Sequence, residues 1–498
     1  MNPDNSLQKG MGGFLKQNNV TLLFVVLCII AFFTSGTSLT YLLPELVTRI
    51  GRNTFMVLSL LIPVVAGLGL NFGIVIGAAS AQIAIFLTVL WGFDGFPGIL
   101  MCVLLCTPLS ILFGYLVGRL FNSMKGTEMI GGLVAGYFSD GLYQLLFLFV
   151  LGGVIKINNS TLMISTGVGV KNAINLSGNL KYALDDVPMI SVLDVSFWAV
   201  LAVSAILIVF RLVKKQDLRL NKILKVLVPV VLLYVLSYIP ALSSFFSSTR
   251  LLLLNAIEIA AASAGIFNLY KIIRSKGKGS DVKRRIVYIA AAAIIYGLTY
   301  LPFLFDAFVA VKIPVLTFIC IGALCLFIPW FLSTKLGQEM RTVGQNRSVA
   351  TAAGIDVNQT RIIAMIMSTV LASYGQLISL QNIGTVATYG AHQQVGLYAI
   401  AALLVGGASV HRATVKQAVL GIVLFHTLFI LAPLAGKALV GNAQIGEYFR
   451  VFVAYGVIAV ALAMHAWSGV KNKKKSSGTA ESAPPAVSSA WSPTETQP

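Results

Sequence analysis

Long apolar runs, separated by short polar connections, make up most of this chain. Most of these runs reach 17 residues or more, which is about what a helix needs to cross a hydrocarbon layer of ~30 Å. Fourteen runs are recognisable: 20–39, 54–70, 72–91, 98–118, 129–155, 190–210, 226–240, 251–270, 286–305, 313–334, 360–381, 396–410, 417–435 and 448–467. The pattern predicts an all-α polytopic membrane protein.

The distribution of Lys and Arg predicts which side of the membrane each connection occupies. If the N-terminus is cytoplasmic, the connections predicted to be inside hold 27 of the 36 basic residues. This inside set comprises the N-terminus, 119–125, 211–225, 271–285, 335–361, 412–416 and the C-terminal tail. A threefold excess of cations in short loops marks the cytoplasmic side. The pattern therefore predicts that both termini are cytoplasmic.

Composition agrees with the membrane class and excludes others. The chain is 57% hydrophobic and 11% charged, whereas soluble domains carry about 25% charged residues. The net charge of +19 does not indicate nucleic-acid binding, because the cations flank apolar runs and no aromatic-interleaved basic patch is present. All five cysteines lie inside apolar runs without a nearby His, which favours buried thiols over a metal site.

The two chain ends differ from the rest in composition. Residues 1–19 are polar and precede a long apolar run without an A-x-A-like cleavage site, which predicts a cytoplasmic N-terminus and an uncleaved first span. Residues 471–498 begin with a Lys cluster and are then rich in Ser, Pro and Thr. This composition predicts a disordered cytoplasmic tail.

The stretch GLGLNFG (67–73) interrupts the apolar pattern without any charge. Either two steep helices meet there, or one helix is broken inside the membrane. Unwound backbone at membrane depth persists only where protein buries it or water lines it, and broken helices often mark transport pathways. Asn71 in this stretch is therefore a candidate pathway residue.

A polar segment, GQEMRTVGQNRSVATAAGIDV (337–357), lies between two apolar runs on the side predicted to be cytoplasmic. Residues 348–354 predict a short Ala-rich helix that ends at Gly354. Such a helix offers a smooth surface for a groove on another protein. The alternative is an ordinary amphipathic loop that packs on the lipid surface. The residues alone favour this second interpretation.

The same segment resembles the cytoplasmic coupling loop of ABC-importer permeases of the branched-chain amino acid, simple-sugar and nucleoside family. Those loops read approximately G-x-x-x-R-A-x-G-x-N-x-x-A-A-x-x-A-G-I. The matching residues are Gly337, Arg341, Gly344, Asn346, Ala350, Ala353, Gly354 and Ile355, and the charged Glu339 and Arg347 lie among them. A second stretch, YAIAALLVGGASV (398–410), resembles the family's A-I-A-A-V-V-L-G-G-T-S run, and 67–84 shows a weaker likeness.

The resemblance implies a domain organisation. It covers 20–190 and 315–465 and implies a ten-span permease core in two parts, 20–190 and 313–470, with the coupling loop at 335–360. The four runs within 191–312 then form an insertion. Because four is an even number, such an insertion leaves the orientation of the later spans unchanged.

The resemblance also implies function and partners. It implies the permease subunit of an ATP-driven importer for a small polar solute of the sugar or nucleoside class, in the bacterial cytoplasmic (inner) membrane. The chain has no G-x-x-x-x-G-K-[ST] motif, so it is expected to be no enzyme and to hold no cofactor. A cytoplasmic ABC ATPase would bind ATP and Mg²⁺. A second permease copy or a paralogous permease, an extracytoplasmic substrate-binding protein and membrane lipid complete the expected partners.

Polar residues inside apolar runs are the candidates for the translocation pathway. They are Asn71, Gln82, Asp140, Gln144 and Gln376. Asp140 and Gln144 share a helix face, and simple pairing between helices is the alternative role for both. A self-contained ion-coupled secondary transporter is the alternative function, in which Glu258 or Asp140 would carry the coupling protons.

Overall fold

The computed structural model describes residues 19–463 apart from 125, 166, 214–219, 275–280, 411, 443, 453–454, 457 and 461–462. The predictions for residues 1–18 and for the tail 471–498 lie outside the described residues. Within them the chain is predominantly helical, which agrees with the predicted all-α polytopic class.

Eighteen α-helices are numbered here in chain order. They are α1 Asn19–Ser35, α2 Leu39–Ser59, α3 Leu61–Val65, α4 Ile74–Leu90, α5 Gly95–Ser123, α6 Glu128–Leu145, α7 Met189–Val213, α8 Leu220–Ser237, α9 Pro240–Phe246, α10 Leu253–Arg274, α11 Asp281–Leu298, α12 Pro302–Ala310, α13 Val315–Phe331, α14 Lys335–Gln345, α15 Arg347–Ala352, α16 Val357–Ile383, α17 Ala391–Val405 and α18 Val415–Val440. A π-helical segment, Leu146–Val154, continues α6.

Four three-residue strands form two antiparallel pairs. β1 Ala173–Asn175 pairs with β4 Thr385–Ala387, and β2 Arg250–Leu252 pairs with β3 Lys312–Pro314. The sequence analysis predicted no strands. These short pairs satisfy backbone groups between helices, where no helix supplies hydrogen-bond partners.

The central helix of the bundle is α16, which packs against α2, α4 and α5. Small residues permit the close approach, as in other membrane helix pairs. A Cβ added at Gly77 of α4 would lie 2.5 Å from the carbonyl oxygen of Thr369. A Cβ at Gly114 of α5 would lie 2.7 Å from Cα of Ile366. The backbones of α4 and α5 therefore meet α16 directly.

The stretch 67–73 joins two antiparallel helices. Along α2, Arg52 bonds to Asn382 and Met56 lies beside Gly375, so α2 runs opposite to α16. The helix α4 follows α16 in the same direction, because Asn71, just before α4, bonds to Ser368 and Gly77 lies beside Thr369 and Ala372. The assignment of 54–91 as two membrane spans or as one broken helix stays a prediction.

The bundle has two ends. The loop end carries α14 and α15, and the ladder end carries both strand pairs, since β4 directly follows the C-terminus of α16. Asp185 and Thr317 join the β2–β3 region to the same terminus of α16, because Asp185 accepts hydrogen bonds from Thr317, Gln381 and Asn382.

Among the described residues, six helices are long and apolar enough to cross a membrane, and two bent helix pairs raise the number to eight. The six are Gly95–Ser123, Glu128–Val154, Met189–Val213, Leu253–Arg274, Val357–Ile383 and Val415–Val440. The bent pairs are Val282–Leu298 with Pro302–Ala310, at 85°, and Val315–Phe331 with Lys335–Gln345, at 73°. The count of fourteen spans, ten in a core and four inserted, stays a prediction.

An internal repeat, which the sequence analysis missed, occupies 189–314. The elements α7, α8, α9 and β2 recur in the same order as α10, α11, α12 and β3. Six identical residue pairs at the end of each unit are 62 positions apart: Tyr234/Tyr296, Leu236/Leu298, Tyr238/Tyr300, Pro240/Pro302, Leu242/Leu304 and Phe246/Phe308.

The repeat is visible in geometry as well as in sequence. The hydroxyls of Tyr234 and Tyr238 are 3.1 Å apart, and those of Tyr296 and Tyr300 are 3.0 Å apart. In the β2–β3 pair, Leu251 lies opposite Ile313. Ile313 is also the residue 62 positions after Leu251, so the two occupy the same place in the two units. An approximate two-fold axis therefore passes between the two units at the ladder end.

The packing of α16 generates a stability prediction. Gly114→Leu should overlap α16 and lower the free energy of unfolding by about 1–3 kcal/mol, the range for overpacked cores. Thermal unfolding of the detergent-solubilised protein, followed by size-exclusion chromatography, measures the loss. Gly322→Leu on α13 is the matched control, because no atom lies within 4 Å of its added Cβ. Equal midpoints for the two variants would contradict the packing of α5 on α16.

Candidate functional site: the coupling segment and a polar cluster

The segment predicted as a coupling loop folds into two short helices, α14 and α15, with defined caps. The side chain of Asn346 accepts hydrogen bonds from the backbone nitrogens of Ser348 at 2.9 Å and Val349 at 3.2 Å. It thereby satisfies two donors at the start of α15 that would otherwise lack partners. Asn346 of the motif therefore serves as the N-cap of α15.

Gly354 ends α15 with φ at +77°, a backbone conformation that favours glycine. The backbone nitrogen of Ile355 then donates to the carbonyl oxygen of Ala350 at 3.0 Å. This is the left-handed termination common at helix C-termini. The Ala-Gly-Ile part of the motif is thus explained by the turn it forms.

One face of α15 is anchored and the other projects from the loop end. Ala350 is fully buried, while the side chain of Val349 is 56% exposed. Thr351, Ala352 and Ala353 are exposed as well. The projecting surface is small, uncharged and without a long side chain, which suits insertion into a groove on another protein.

Backbone contact ties α14 to the α3–α4 connection. A Cβ at Gly344 would overlap the carbonyl oxygen of Val65, and a Cβ at Gly67 would lie 2.7 Å from Cα of Gly344. Only glycine fits at both positions without displacement of the chain. The coupling segment therefore rests directly on the connection that leads into α4.

An ion-pair link joins α15 to two long helices. Oε1 of Glu128, the first residue of α6, accepts hydrogen bonds at 2.6 Å from Nη2 of Arg347 and at 2.6 Å from Nη2 of Arg361 on α16. Arg361 is completely buried, so its charge requires this partner. Arg347 also donates to the carbonyl oxygen of Gly67 at 3.4 Å. Sequence reasoning missed Glu128, because its partners are 219 and 233 residues away.

The other motif residues occupy different settings. Gly337 is buried against the end of α13, and Arg341 is exposed. Glu339 lies 3.9 Å from Nζ of Lys335, one turn earlier on α14. Their role in coupling stays a prediction.

Asp140 and Gln144 form the centre of a polar cluster between α6 and the start of α17. Oδ2 of Asp140 accepts from Nε2 of Gln144 at 2.9 Å and from Nε2 of Gln393 at 2.6 Å. Oδ1 of Asp140 lies 2.7 Å from Nε2 of His392. The sequence analysis paired the first two residues. It missed His392 and Gln393, which precede the apolar run from 396.

The cluster retains unused hydrogen-bonding capacity. The ring of Tyr143 packs 4.5 Å from that of His392, centroid to centroid. Nδ1 of His392 and the hydroxyl of Tyr143 are buried, and neither has a hydrogen-bond partner among the described residues. Unpaired buried polar atoms are uncommon, so these two groups are available to bond to water or to a ligand.

The three amide candidates are buried elsewhere. Asn71 and Gln376 are fully buried and Gln82 is 2% exposed. Nδ2 of Asn71 donates to Oγ of Ser368 at 3.3 Å. Oδ1 of Asn71 and both terminal atoms of Gln82 and Gln376 have no partner among the described residues. No hydrogen bond in this part of the chain connects these amides to Asp140.

Glu258 and the five cysteines, which the sequence also raised as candidates, show no sign of a chemical role. Glu258 accepts a hydrogen bond from the hydroxyl of Tyr300 at 3.1 Å, inside the second unit of the repeat. The described residues contain no group of three or more His, Cys, Asp or Glu side chains arranged to hold a metal ion. All five cysteines are free thiols.

Comparison with known proteins shows similarity to one family over the second half of the chain. Residues 224–462 match the model of the branched-chain amino acid transport system permease component. The match begins inside the region interpreted as an insertion, 191–312. That interpretation stays a prediction.

Two characterised relatives are similar over part of their length. The xylose transport system permease protein of Haemophilus influenzae is 29% identical over 188 residues, 38% of this chain and 46% of the relative. The D-allose transport system permease protein of Escherichia coli is 26% identical over 202 residues, 39% of this chain and 58% of the relative. The matches thus span about half the length of these relatives. No solved structure matches the chain.

The family model covers 224–462, just under half of the chain, and both named relatives are sugar permeases. Together with the apolar helices, these similarities support the branched-chain amino acid and sugar family of ABC-importer permeases for this chain.

Proposed function

We propose that this protein is the translocation subunit of an ATP-driven importer for a small polar solute of the sugar class. The observation that carries the proposal is the projecting surface of α15, capped at both ends and anchored on its inner face. The names of two relatives, xylose and D-allose permeases, support a sugar as the solute. These names give no support to a nucleoside as the solute.

In this proposal a separate cytoplasmic ATPase binds ATP and Mg²⁺ and receives α15 in a surface groove. Movement of the ATPase would be transmitted by two routes. One is the backbone contact of Gly344 with Gly67 at the start of the α4 connection. The other is the ion-pair link from Arg347 through Glu128, the first residue of α6, to Arg361 in the second turn of α16.

The polar cluster around Asp140 is the proposed contact with the solute. Asp140 lies twelve residues after Glu128, so the two are separated by about 18 Å along the helix. The side chain of Asp140 is still 14% exposed, and an exposed carboxylate at that depth is costly against lipid. We therefore place this face of α6 against a water-filled path, formed with a second permease copy or a paralogous permease. An extracytoplasmic binding protein would deliver solute at the ladder end, and the complex would reside in the bacterial inner membrane.

A polyhydroxyl solute matches the chemistry of this cluster. Each sugar hydroxyl both donates and accepts, while Asp140 accepts, the amides do both, and Nδ1 of His392 is without a partner. An aromatic ring, Tyr143, lies beside these groups. The cluster therefore offers more hydrogen bonds than its own residues use.

Docking of the ATPase is tested by Ala352→Arg. A long cation on the projecting surface should prevent entry into the groove, so the ATPase should no longer co-purify, while thermal unfolding stays unchanged. Ala387→Arg is the matched control, because it adds the same charge to an exposed alanine at the ladder end. Retention of the ATPase by both variants would contradict the placement of α15. Gly354→Arg should also prevent docking, but it additionally strains a positive-φ position.

The ion-pair link is tested by Glu128→Gln. This change leaves two guanidinium groups, one fully buried, without their carboxylate. Loss of one member of a buried pair costs about 3–5 kcal/mol, so the unfolding midpoint should fall and solute-stimulated ATP hydrolysis should decrease. The second change in Glu128→Gln/Arg347→Ala should restore part of the stability.

Glu339→Gln is the control for this link, since it removes a carboxylate from a 3.9 Å pair with a nearly fully exposed lysine. Exposed pairs contribute about 0–1 kcal/mol. If Glu128→Gln unfolds at the same temperature as Glu339→Gln, the ion-pair link does not hold α15 to α6 and α16.

The solute path is tested by Asp140→Asn, which preserves size but removes the charge. We expect uptake into proteoliposomes to show a raised KM for solute, at least tenfold, or about 1.4 kcal/mol of binding, with normal ATPase retention. Glu258→Gln is the control carboxylate in the repeat and should leave uptake unchanged. Loss of uptake in Glu258→Gln alone would favour an ion-coupled transporter.

A further inference from the structure

Five basic residues lie together where α10 ends and α11 begins. They are Lys271 and Arg274 on α10 and Lys283, Arg284 and Arg285 on α11, and this group is called the basic tip. The helix α10 has 22 residues, so it extends about 33 Å from its start at the ladder end. The distribution of Lys and Arg predicts that 271–285 is cytoplasmic, so the basic tip is expected on the same side of the membrane as α15.

Aromatic side chains on the same helices hold these cations. Nζ of Lys271 lies 4.3 Å from the ring centroid of Phe267. Nη1 of Arg274 donates to the hydroxyl of Tyr270 at 3.4 Å, and Nε of Arg284 donates to that of Tyr288 at 2.9 Å. Aromatic rings beside Lys and Arg at helix ends are typical of the membrane–water interface.

Four cations of the basic tip have no ion-pair partner among the described carboxylates. No described carboxylate lies within 4.0 Å of Lys271, Arg274, Lys283 or Arg285. Large apolar side chains alternate with them on the same surface: Ile273 is 69% exposed and Val287 63% exposed. Positive charge set in an exposed apolar surface matches a phospholipid, which offers phosphate and acyl chain together.

The first unit of the internal repeat has similar cations in the sequence that connects α7 and α8. In the sequence, Lys214 and Lys222 stand 62 positions before Lys276 and Arg284. The two hairpin connections together hold 13 of the chain's 36 basic residues. Such an accumulation exceeds what the orientation of two hairpins requires, since a few positive charges in a short loop set topology.

We propose that the basic tip is a binding site for anionic phospholipid headgroups of the cytoplasmic leaflet. The proposal rests on the orientation predicted from the charge distribution, and it is independent of the transported solute. Lipid phosphates would contact Lys271, Arg274 and Lys283, while the acyl chains cover Ile273 and Val287. The basic tip would thereby hold anionic lipid on the side of the membrane where the ATPase is proposed to dock.

The test measures lipid retention by native mass spectrometry. Full-length protein in neutral detergent is titrated with phosphatidylglycerol or with phosphatidylcholine of the same acyl chains. We expect several bound phosphatidylglycerol molecules and clearly fewer phosphatidylcholine molecules, with the difference decreasing as salt rises. Equal retention of the two lipids at low salt would overturn the proposal.

A matched pair of variants locates the site. The variant Lys271→Gln/Arg274→Gln/Lys283→Gln should lose most of the phosphatidylglycerol preference. Arg119→Gln/Lys335→Gln/Lys416→Gln removes three exposed cations from the same end of the bundle and should keep it. If both variants lost the phosphatidylglycerol preference to the same extent, the preference would depend on net charge alone. That result would refute a site at the basic tip.

Two additional measurements separate the remaining outcomes. Lys271→Arg/Arg274→Lys/Lys283→Arg keeps the charge and should keep the lipid preference, which distinguishes a failure to fold or insert from loss of binding. Polyglutamate and polyuridylate serve as competitors, and displacement of phosphatidylglycerol only by one of them at lower concentration would assign the tip to that polymer instead. ATPase co-purification by the glutamine variant reports on the proposed transport function separately.

Discussion

A single carboxylate at the start of α6 holds the loop end of the molecule together. Arg361 has no exposed surface, and a buried guanidinium is tolerable only with a charged partner. Glu128 is that partner, and the same oxygen also bonds to Arg347 of α15. The consecutive helices α15 and α16 and the distant α6 therefore share one electrostatic interaction. If it is lost, α15 keeps its caps but loses its attachment to the helices.

Close backbone packing makes this attachment mechanically useful. Gly344 fits against Val65 and Gly67 only because it lacks a side chain, and α16 meets α4 and α5 through Gly77 and Gly114. Interfaces of small residues leave little room for a helix to shift alone. A displacement of α15 should therefore move α4, α6 and α16 together.

The parts of the site that sequence could predict are those encoded locally. The coupling segment was recognisable because its caps and turn, Asn346 and Gly354, lie within one short motif. The contact of Asp140 with Gln144 followed from helix periodicity alone. Helix class and the break at 67–73 followed from apolar run lengths and glycine spacing.

The missed features depend on contacts between distant segments or on comparison of the chain with itself. Glu128 reads as an ordinary loop acid until folding brings Arg361 beside it. His392 precedes the apolar run of α17, so hydropathy gave it no membrane position. The repeat was hidden because its matches at 62-residue spacing are concentrated in the Tyr-x-Leu-x-Tyr-x-Pro stretch that starts at Tyr234 and recurs at Tyr296. The strand pairs involve only three residues each, too few to produce an alternating pattern.

The helix α6 connects the two proposed activities physically. It begins with Glu128, which bonds to the coupling segment, and carries Asp140 and Gln144 about 18 Å further along. Directly after Gln144 the helix changes to π-type turns at Leu146–Val154 and kinks at Gly152, where φ is +94°. Such π segments occur frequently at functional positions. A rigid segment with an ion pair at one end and a kink at the other can convert movement of α15 into displacement of Asp140 relative to His392 on α17. Because Asp140 bonds to His392 and Gln393 in this state, that displacement would exchange protein hydrogen bonds for bonds to solute.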